Sequence, residues 1–433
     1  MAKRTLYGTV IVTYRCNAHC NMCDCFKDPT RPEEEITLDD IRLLPEMAFT
    51  NITGGEPFIR KDIGDIVEAL YKKSNRIVIS TNGYFTDRIL ELCRRFPKVG
   101  IRISIEGLQQ TNDTIRGIPD GFNRGYSTLK KLVEMGHPDV GFGMTVQDLN
   151  CEDLVPLYKI SDELGMEFAT ATLHNSFYFR KTDNKIDDKY KVAQNFEALI
   201  NELLHSHSPK KWFRAYFNHG LINYIYGNKR LLPCDMSKDA FFIDPFCDVI
   251  PCNGMAKKAV MGNLHDIGDW DTLWNSDQAK AVRAATKQCD RNCWMIGVNK
   301  NAKRVSIIHI SFNLFGTAIG LVVYCIARYA VDLTLFNDSI SPVMIAVFHS
   351  IFNIATTIIL LCVQHCFVQW LLLSEHTAQT SPGTTRFFPS IYLPHLLHMI
   401  PCSYRALPWI ADLPSCSALY AISVRQTRGL PVG

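Results

Sequence analysis

Cys16-Asn-Ala-His-Cys20-Asn-Met-Cys23 gathers three thiols in one short loop. Thiolates at C-x3-C-x2-C spacing can hold three irons of a [4Fe–4S] cube and leave the fourth open to a ligand, which catalysis needs and pure electron transfer does not. The rival chemistry is a structural zinc loop. Zinc prefers four closed ligands, usually from paired C-x2-C units, and Cys25 could supply the fourth. Further along, Cys234, Cys252, Cys289 and Cys293 could close four thiolates around another [4Fe–4S] cluster, or a structural zinc ion on the same residues. Cys247 is a spare or alternative ligand, and Cys93 and Cys151 read as ordinary core or surface thiols. In a reducing cytosol, clustered cysteines read as metal or redox groups before disulfides.

Other candidates stand at strand-like ends. Thr53-Gly54-Gly55-Glu56-Pro57 pairs two glycines, which let backbone approach a ligand closely, with a carboxylate that can accept hydrogen bonds from an ammonium group. Ser80-Thr81-Asn82-Gly83 and Ser104-Ile-Glu106-Gly107 follow the same plan, and Ser104 and Glu106 share one face by strand alternation. Asn82 and Ser104 could touch a ligand or simply serve strand-end turns. His174 and His219 have no defensible partner spacing.

These residues need a scaffold. Strand-like runs occupy Leu6–Thr13, Met47–Thr53, Arg76–Thr81, Val99–Ile105, Val140–Val146 and Glu167–Leu173. Helical patterns lie between them at Ile63–Lys73, Asp87–Arg95, Arg124–Met135 and Cys151–Leu164, the first with Ile63, Ile66, Val67 and Leu70 on one face. This alternation predicts an α/β fold with a parallel sheet, helices outside, and six units in an open or partial (βα)6 barrel. Ligands in such folds collect at the carboxyl ends of the strands, where the motifs fall. Residues 1–230 form this unit and 231–304 a small α+β appendage, with a hairpin at Ala240–Pro251 and a helix at Asn275–Thr286. Tyr216–Tyr226 is an aromatic stripe that lines a cavity or belongs to the core.

The cysteine spacing, its place after the first strand and the GGEP turn after the second resemble the radical SAM superfamily. The resemblance implies a cluster on Cys16, Cys20 and Cys23 that binds S-adenosyl-L-methionine (SAM), with Gly54, Gly55, Glu56 and Pro57 receiving the methionyl amino group. It implies that Asn82, Ser104 and Glu106 line the SAM pocket. Thr114-Ile-Arg116-Gly117 resembles the family's loop after the fourth strand, and Arg116 pairs the SAM carboxylate or makes a surface ion pair. The implied activity is reductive cleavage of SAM to a 5′-deoxyadenosyl radical that takes hydrogen from an unidentified substrate, whether peptide, sugar or small molecule. An electron donor such as flavodoxin or ferredoxin would be needed. The appendage, through IDPFCDVIPC and the GNL…LWNS stretch, resembles the shortened SPASM domain called twitch. That implies an auxiliary [4Fe–4S] cluster on Cys234, Cys252, Cys289 and Cys293, with Cys247 where the family more often has glycine.

Composition breaks near residue 304. Residues 305–433 contain no lysine, and their acidic residues are Asp332, Asp338, Glu375 and Asp412. Val305–Ala327 and Pro342–Val363 are apolar runs of the ~20 residues needed to cross a bilayer. Lys300, Lys303 and Arg304 precede the first, so residues 305–373 are expected to form a two-helix membrane hairpin that tethers a cytoplasmic catalytic part to the inner membrane. His309-Ile-Ser-Phe-Asn313 recurs as His349-Ser-Ile-Phe-Asn353, and residues 305–363 resemble a fragment of the sodium/phosphate cotransporter family. Residues 374–433 read as irregular or disordered, and the abrupt joins suggest a fused or frame-shifted gene product. A rival class is therefore a membrane-anchored or transporter-fragment fusion with a non-catalytic metal-binding domain. The net charge of +3 is too mild to argue for nucleic acid as partner.

Overall fold

The computed structural model describes residues 6–294, apart from 233, 235 and 255–257. The chain divides into the units Met1–Cys325 and Ile326–Gly433, and every described residue belongs to the first. The membrane hairpin, the cotransporter-like segment and the irregular tail lie outside the described residues. Among the described residues, no helix is long and apolar enough to cross a membrane.

Six strands, β1 (Leu6–Ile11), β2 (Met47–Thr53), β3 (Ile77–Thr81), β4 (Gly100–Ser104), β5 (Val140–Val146) and β6 (Glu167–Thr172), pair in parallel, each with the next in sequence. Between them run α1 (Leu38–Leu43), α2 (Ile63–Tyr71), α3 (Thr86–Arg95), α4 (Gln109–Arg116), α5 (Gly121–Glu134) and α6 (Leu154–Glu163). Parallel neighbours need crossovers, and the helices supply them. The α2 face of Ile63, Ile66, Val67 and Leu70 is buried in the main core, as its spacing predicts.

Two expectations changed. The Thr114–Gly117 stretch is not a loop but the end of α4, whose only buried side chains are Asn112 and Ile115. A helix this short and this polar gives few apolar residues from which to read it. The appendage is also not a sheet of its own. After α7 (Lys189–Leu204), α8 (Pro209–Ile225) and α9 (Met236–Asp239), β7 (Ala240–Ile243) pairs in parallel with β1. Then β8 (Asp248–Ile250) and β9 (Gly262–Asn263) add antiparallel, giving one mixed nine-stranded sheet in the order β6-β5-β4-β3-β2-β1-β7-β8-β9. The β7–β8 turn puts Cys247 at φ +65°, a left-handed conformation that explains why glycine suits this position. Its thiol is buried in the core.

The helix expected at 275–286 is present and begins two residues later. Ser276 ends α11 (Trp270–Asn275) and caps α12 (Asp277–Lys287), its hydroxyl accepting from Ala279 N at 3.1 Å. Between β9 and α11 stands α10 (Leu264–Ile267). Cys93 and Cys151 are buried core thiols. The aromatic stripe is the second half of α8, with Phe217 and Leu221 fully buried in the core.

Candidate active site

A pocket of about 230 Å³ opens at the carboxyl ends of the strands. Its wall carries Cys16, Cys20 and Cys23 after β1, Gly54 and Gly55 after β2, and Ser80, Thr81 and Asn82 at the end of β3. Ser104, Glu106 and Arg116 follow from β4 and α4, and Thr145 from β5. Motifs spread over a hundred residues of sequence thus meet because all but the Arg116 stretch, which ends α4, follow the ends of parallel strands.

The cysteine loop is clamped to α4. His19 N donates to Arg116 O and Asn21 N to Ile115 O, both at 2.9 Å, satisfying carbonyls that a helix end leaves open. Gly117 closes α4 at φ +56°, where a Cβ would lie 2.6 Å from His19 O. At the loop's entry, Arg15 forks onto the buried Glu35 at 2.8 and 2.7 Å. The glycine turn runs equally close: a Cβ on Gly54 would sit 2.7 Å from Thr13 O, and one on Gly55 2.3 Å from Arg15 O. Gly55 N and Glu56 N donate to those same carbonyls.

Glu56 does not reach the pocket. Its carboxylate is fully buried and accepts from Asn82 N (2.7 Å), Thr81 Oγ1 (2.7 Å) and Phe58 N (3.0 Å). Burial pushes its pKa up while these donors hold the charge. It fastens β2 to β3, a positioning duty rather than the ammonium contact that the sequence suggests. Pro57 opens the buried 3-10 turn that follows. Asn82 uses its amide on Asn17 Oδ1 (2.7 Å) and Tyr84 N (3.0 Å).

Arg116 is not a surface ion pair. Its side chain is 11% exposed and donates at 3.1 Å to Glu106, itself 2% exposed. Glu106 also accepts from Thr145 N at 2.6 Å. Burial works against the Arg116 charge, and Cys20, Glu106 and Cys16 more than restore it. Burial pushes Cys16 up to about 12 and raises Cys20, with Arg116 opposing both. Cys23 is held low by the neighbouring Cys25, whose own thiol is raised by the same contact. Cys25 is buried and donates to Tyr178 O at 3.1 Å.

The residues fit an iron–sulfur cube. Buried thiols beside a fixed guanidinium become thiolates when a metal centre takes them up. Asn17 Nδ2, next to Cys16, is a buried donor without a partner, and a sulfur acceptor would satisfy it. Among the described residues no three His, Cys, Asp or Glu side chains converge on one ion. A cube asks for no such point, because each thiolate takes its own iron. Cys16, Cys20 and Cys23 would hold the cluster, and the pocket beyond them SAM.

The second cysteine set is built differently. Cys234 and Cys252 pack against the same small cluster, Met236 and Ala240, beside Phe242. Cys289 and Cys293 follow α12, which packs on α9. The segment around them is pinned on and just beyond α8. Trp294 Nε1 donates to Phe217 O (2.8 Å), Asn292 Nδ2 to Tyr224 O (3.1 Å), and Arg230 to Cys289 O (2.7 Å). Trp294 lies against Gly220, where a Cβ would fall 1.9 Å from its ring.

The sequence reading missed the segment after β6. Tyr178 and Phe179 line the pocket, Asp24 N donates to Phe179 O at 2.8 Å, and Asn184 Nδ2 to Met22 O at 3.0 Å. His174 also stands here, with Nδ1 on Thr172 O (2.9 Å) and a buried Nε2 without a partner. An irregular stretch bears no period, so only its aromatic density could have signalled it.

Residues 10–159 match the family model described as the radical SAM superfamily, and residues 234–294 match the SPASM model, an iron–sulfur cluster-binding domain. The chain is 29% identical over 161 residues to Fe-coproporphyrin III synthase of Methanosarcina barkeri, covering 35% of this chain and 40% of that protein. It is 25% identical over 323 residues to the antilisterial bacteriocin subtilosin biosynthesis protein AlbA of Bacillus subtilis, covering 68% of each. Among solved structures, SuiB of Streptococcus suis aligns at a TM-score of 0.48 and 17% identity, over 65% of this chain and 68% of that one. The matching models end at residue 294, and nothing found supports the likeness of residues 305–363 to a sodium/phosphate cotransporter.

Proposed function

This chain carries a radical SAM domain followed by a SPASM domain, and we propose that it cleaves SAM reductively and takes a hydrogen atom from a peptide substrate. The observation that carries this reading is the meeting of Cys16, Cys20 and Cys23 with Gly54, Gly55, Asn82, Ser104 and Arg116 in one strand-end pocket. The peptide class rests on AlbA, a bacteriocin biosynthesis protein to which the likeness spans two thirds of both chains. When bound, the cluster supplies the electron and SAM the radical group that abstracts hydrogen.

The chain's own residues bind, orient and exclude water. Gly54 and Gly55 let the turn pack directly on the Thr13 and Arg15 carbonyls, which fixes the backbone that lines the pocket. Glu56 locks that turn to β3, so its geometry is set before ligand arrives. Arg116, fixed by Glu106, places a permanent cation beside the thiolates and offers remaining donors to a carboxylate. Tyr178 and Phe179 wall the pocket against solvent. Cys234, Cys252, Cys289 and Cys293 would hold the auxiliary cluster. On hydropathy alone, residues 305–373 tether this cytoplasmic machinery to a membrane, which protease protection in inverted vesicles tests.

The decisive experiment is anaerobic reconstitution with iron and sulfide, dithionite reduction, and assay for 5′-deoxyadenosine and methionine. Wild type should form both. The Cys16→Ala, Cys20→Ala, Cys23→Ala variant should form neither and should lose roughly half its iron. Turnover undiminished in that variant ends the proposal.

A further inference from the structure

We infer that Tyr178 is a positioning residue for SAM, fixing the glycine turn that receives the ligand and tying that turn to both cysteine sets; this rests on the function proposed above. The phenol is half-buried in the pocket wall, more than a hundred residues from the motifs it meets. Its hydroxyl donates to Gly54 O and contacts Thr53 Oγ1 at 3.1 Å. A carbonyl only accepts, so the phenolic proton goes to Gly54 and the Thr53 hydroxyl donates to Tyr178. The result is a directed chain, Thr53 to Tyr178 to Gly54, in which each bond polarises the next.

A carbonyl oxygen has two lone pairs, and Tyr178 occupies one on Gly54. The oxygen is thereby held in place while its second lone pair stays available to a donor such as an ammonium group. The backbone of the same residue reaches further. Tyr178 O accepts the Cys25 thiol at 3.1 Å, beside Cys23. Tyr178 N donates to Ser176 Oγ at 3.1 Å, and Ser176 Oγ donates to Asn253 O at 2.8 Å, next to Cys252. Arg180 secures the arrangement at φ +53°, stacked 4.3 Å over the Tyr14 ring and ion-paired with Asp28. One residue thus touches the ligand turn and the first cysteine loop, and through Ser176 it is linked to the approach to the second.

Tyr178→Phe keeps the ring and the backbone contacts and removes only the hydroxyl chain. Reconstituted wild type and variant should carry equal iron and equal absorbance near the thiolate-to-iron bands. Equilibrium dialysis with labelled SAM should then show about three- to tenfold weaker binding in the variant, the worth of one hydrogen bond. The electron paramagnetic resonance change that SAM produces in the reduced wild-type cluster should shrink in parallel. Tyr178→Leu, which also removes the ring, should weaken SAM at least as much. Wild-type SAM affinity and spectrum in Tyr178→Phe overturn the inference. So does loss of iron alongside SAM binding in that variant, since the hydroxyl would then be holding the cysteine loop. A wild-type protein that binds a cluster but no SAM removes the proposed function itself, and this inference with it.

Discussion

The two cysteine sets sit on one sheet yet are held by opposite strategies. The first is one short loop, and its environment is assembled from the ends of six parallel strands. Its charge is settled internally, by Arg116 and Glu106 buried side by side. The second draws on four positions spread over some sixty residues, and its last pair is held to α8 by Trp294 and Asn292 and to the segment just beyond it by Arg230. The first is specified by motif and completed by topology. The second is specified by packing, with a tryptophan against a glycine as its keystone.

Breaking the ion pair beneath the first set should have the largest effect. Arg116→Met leaves Glu106 buried and uncompensated, and such a loss costs about 3–5 kcal/mol. Denaturant unfolding should register it, with iron lost first from the three-cysteine loop. A variant as stable as wild type would mean that the guanidinium is dispensable to that region.

The matching intervention on the second set is Gly220→Leu, which drives a side chain into Trp294. Overpacking costs about 1–3 kcal/mol. Iron should fall by roughly half, leaving the SAM-responsive signal of the first cluster intact, as Cys289→Ala with Cys293→Ala should also do. Equal loss from both clusters would erase the distinction drawn here.

The smallest test concerns the join between the regions, where His265 of α10 meets Asp40 of α1 at 2.8 Å. The hydrogen bond to Asp40 raises the histidine pKa above 6.5, so the protonated form belongs to the folded state. The contact therefore contributes in full below pH 6.5 and fades as pH rises through the raised value. Nuclear magnetic resonance titration should place the His265 midpoint above 6.5, and His265→Gln should abolish that slight pH dependence of stability. A midpoint at or below 6.5 would show that the join carries no charge coupling.

Much of the core and the crown of the site was legible because both depend on local patterns. Strand alternation and the spaced apolar residues of α2 follow from periodicity. The thiols of Cys16, Cys20 and Cys23, and the glycines at 54 and 55, follow from spacing and backbone freedom. Helix α4 was illegible because its surface is polar, and the addition of β7 to β1 because strand partners are not written in either strand.

The sequence by itself determined which residues could bind iron and SAM, since those capacities belong to side-chain chemistry and short spacing. Only the tertiary structure decided that Glu56 faces inward, that Arg116 is buried with Glu106, and that Tyr178 closes on Gly54. Those outcomes depend on which atoms share desolvated space, and residues 124 positions apart come to share it only once the chain has folded.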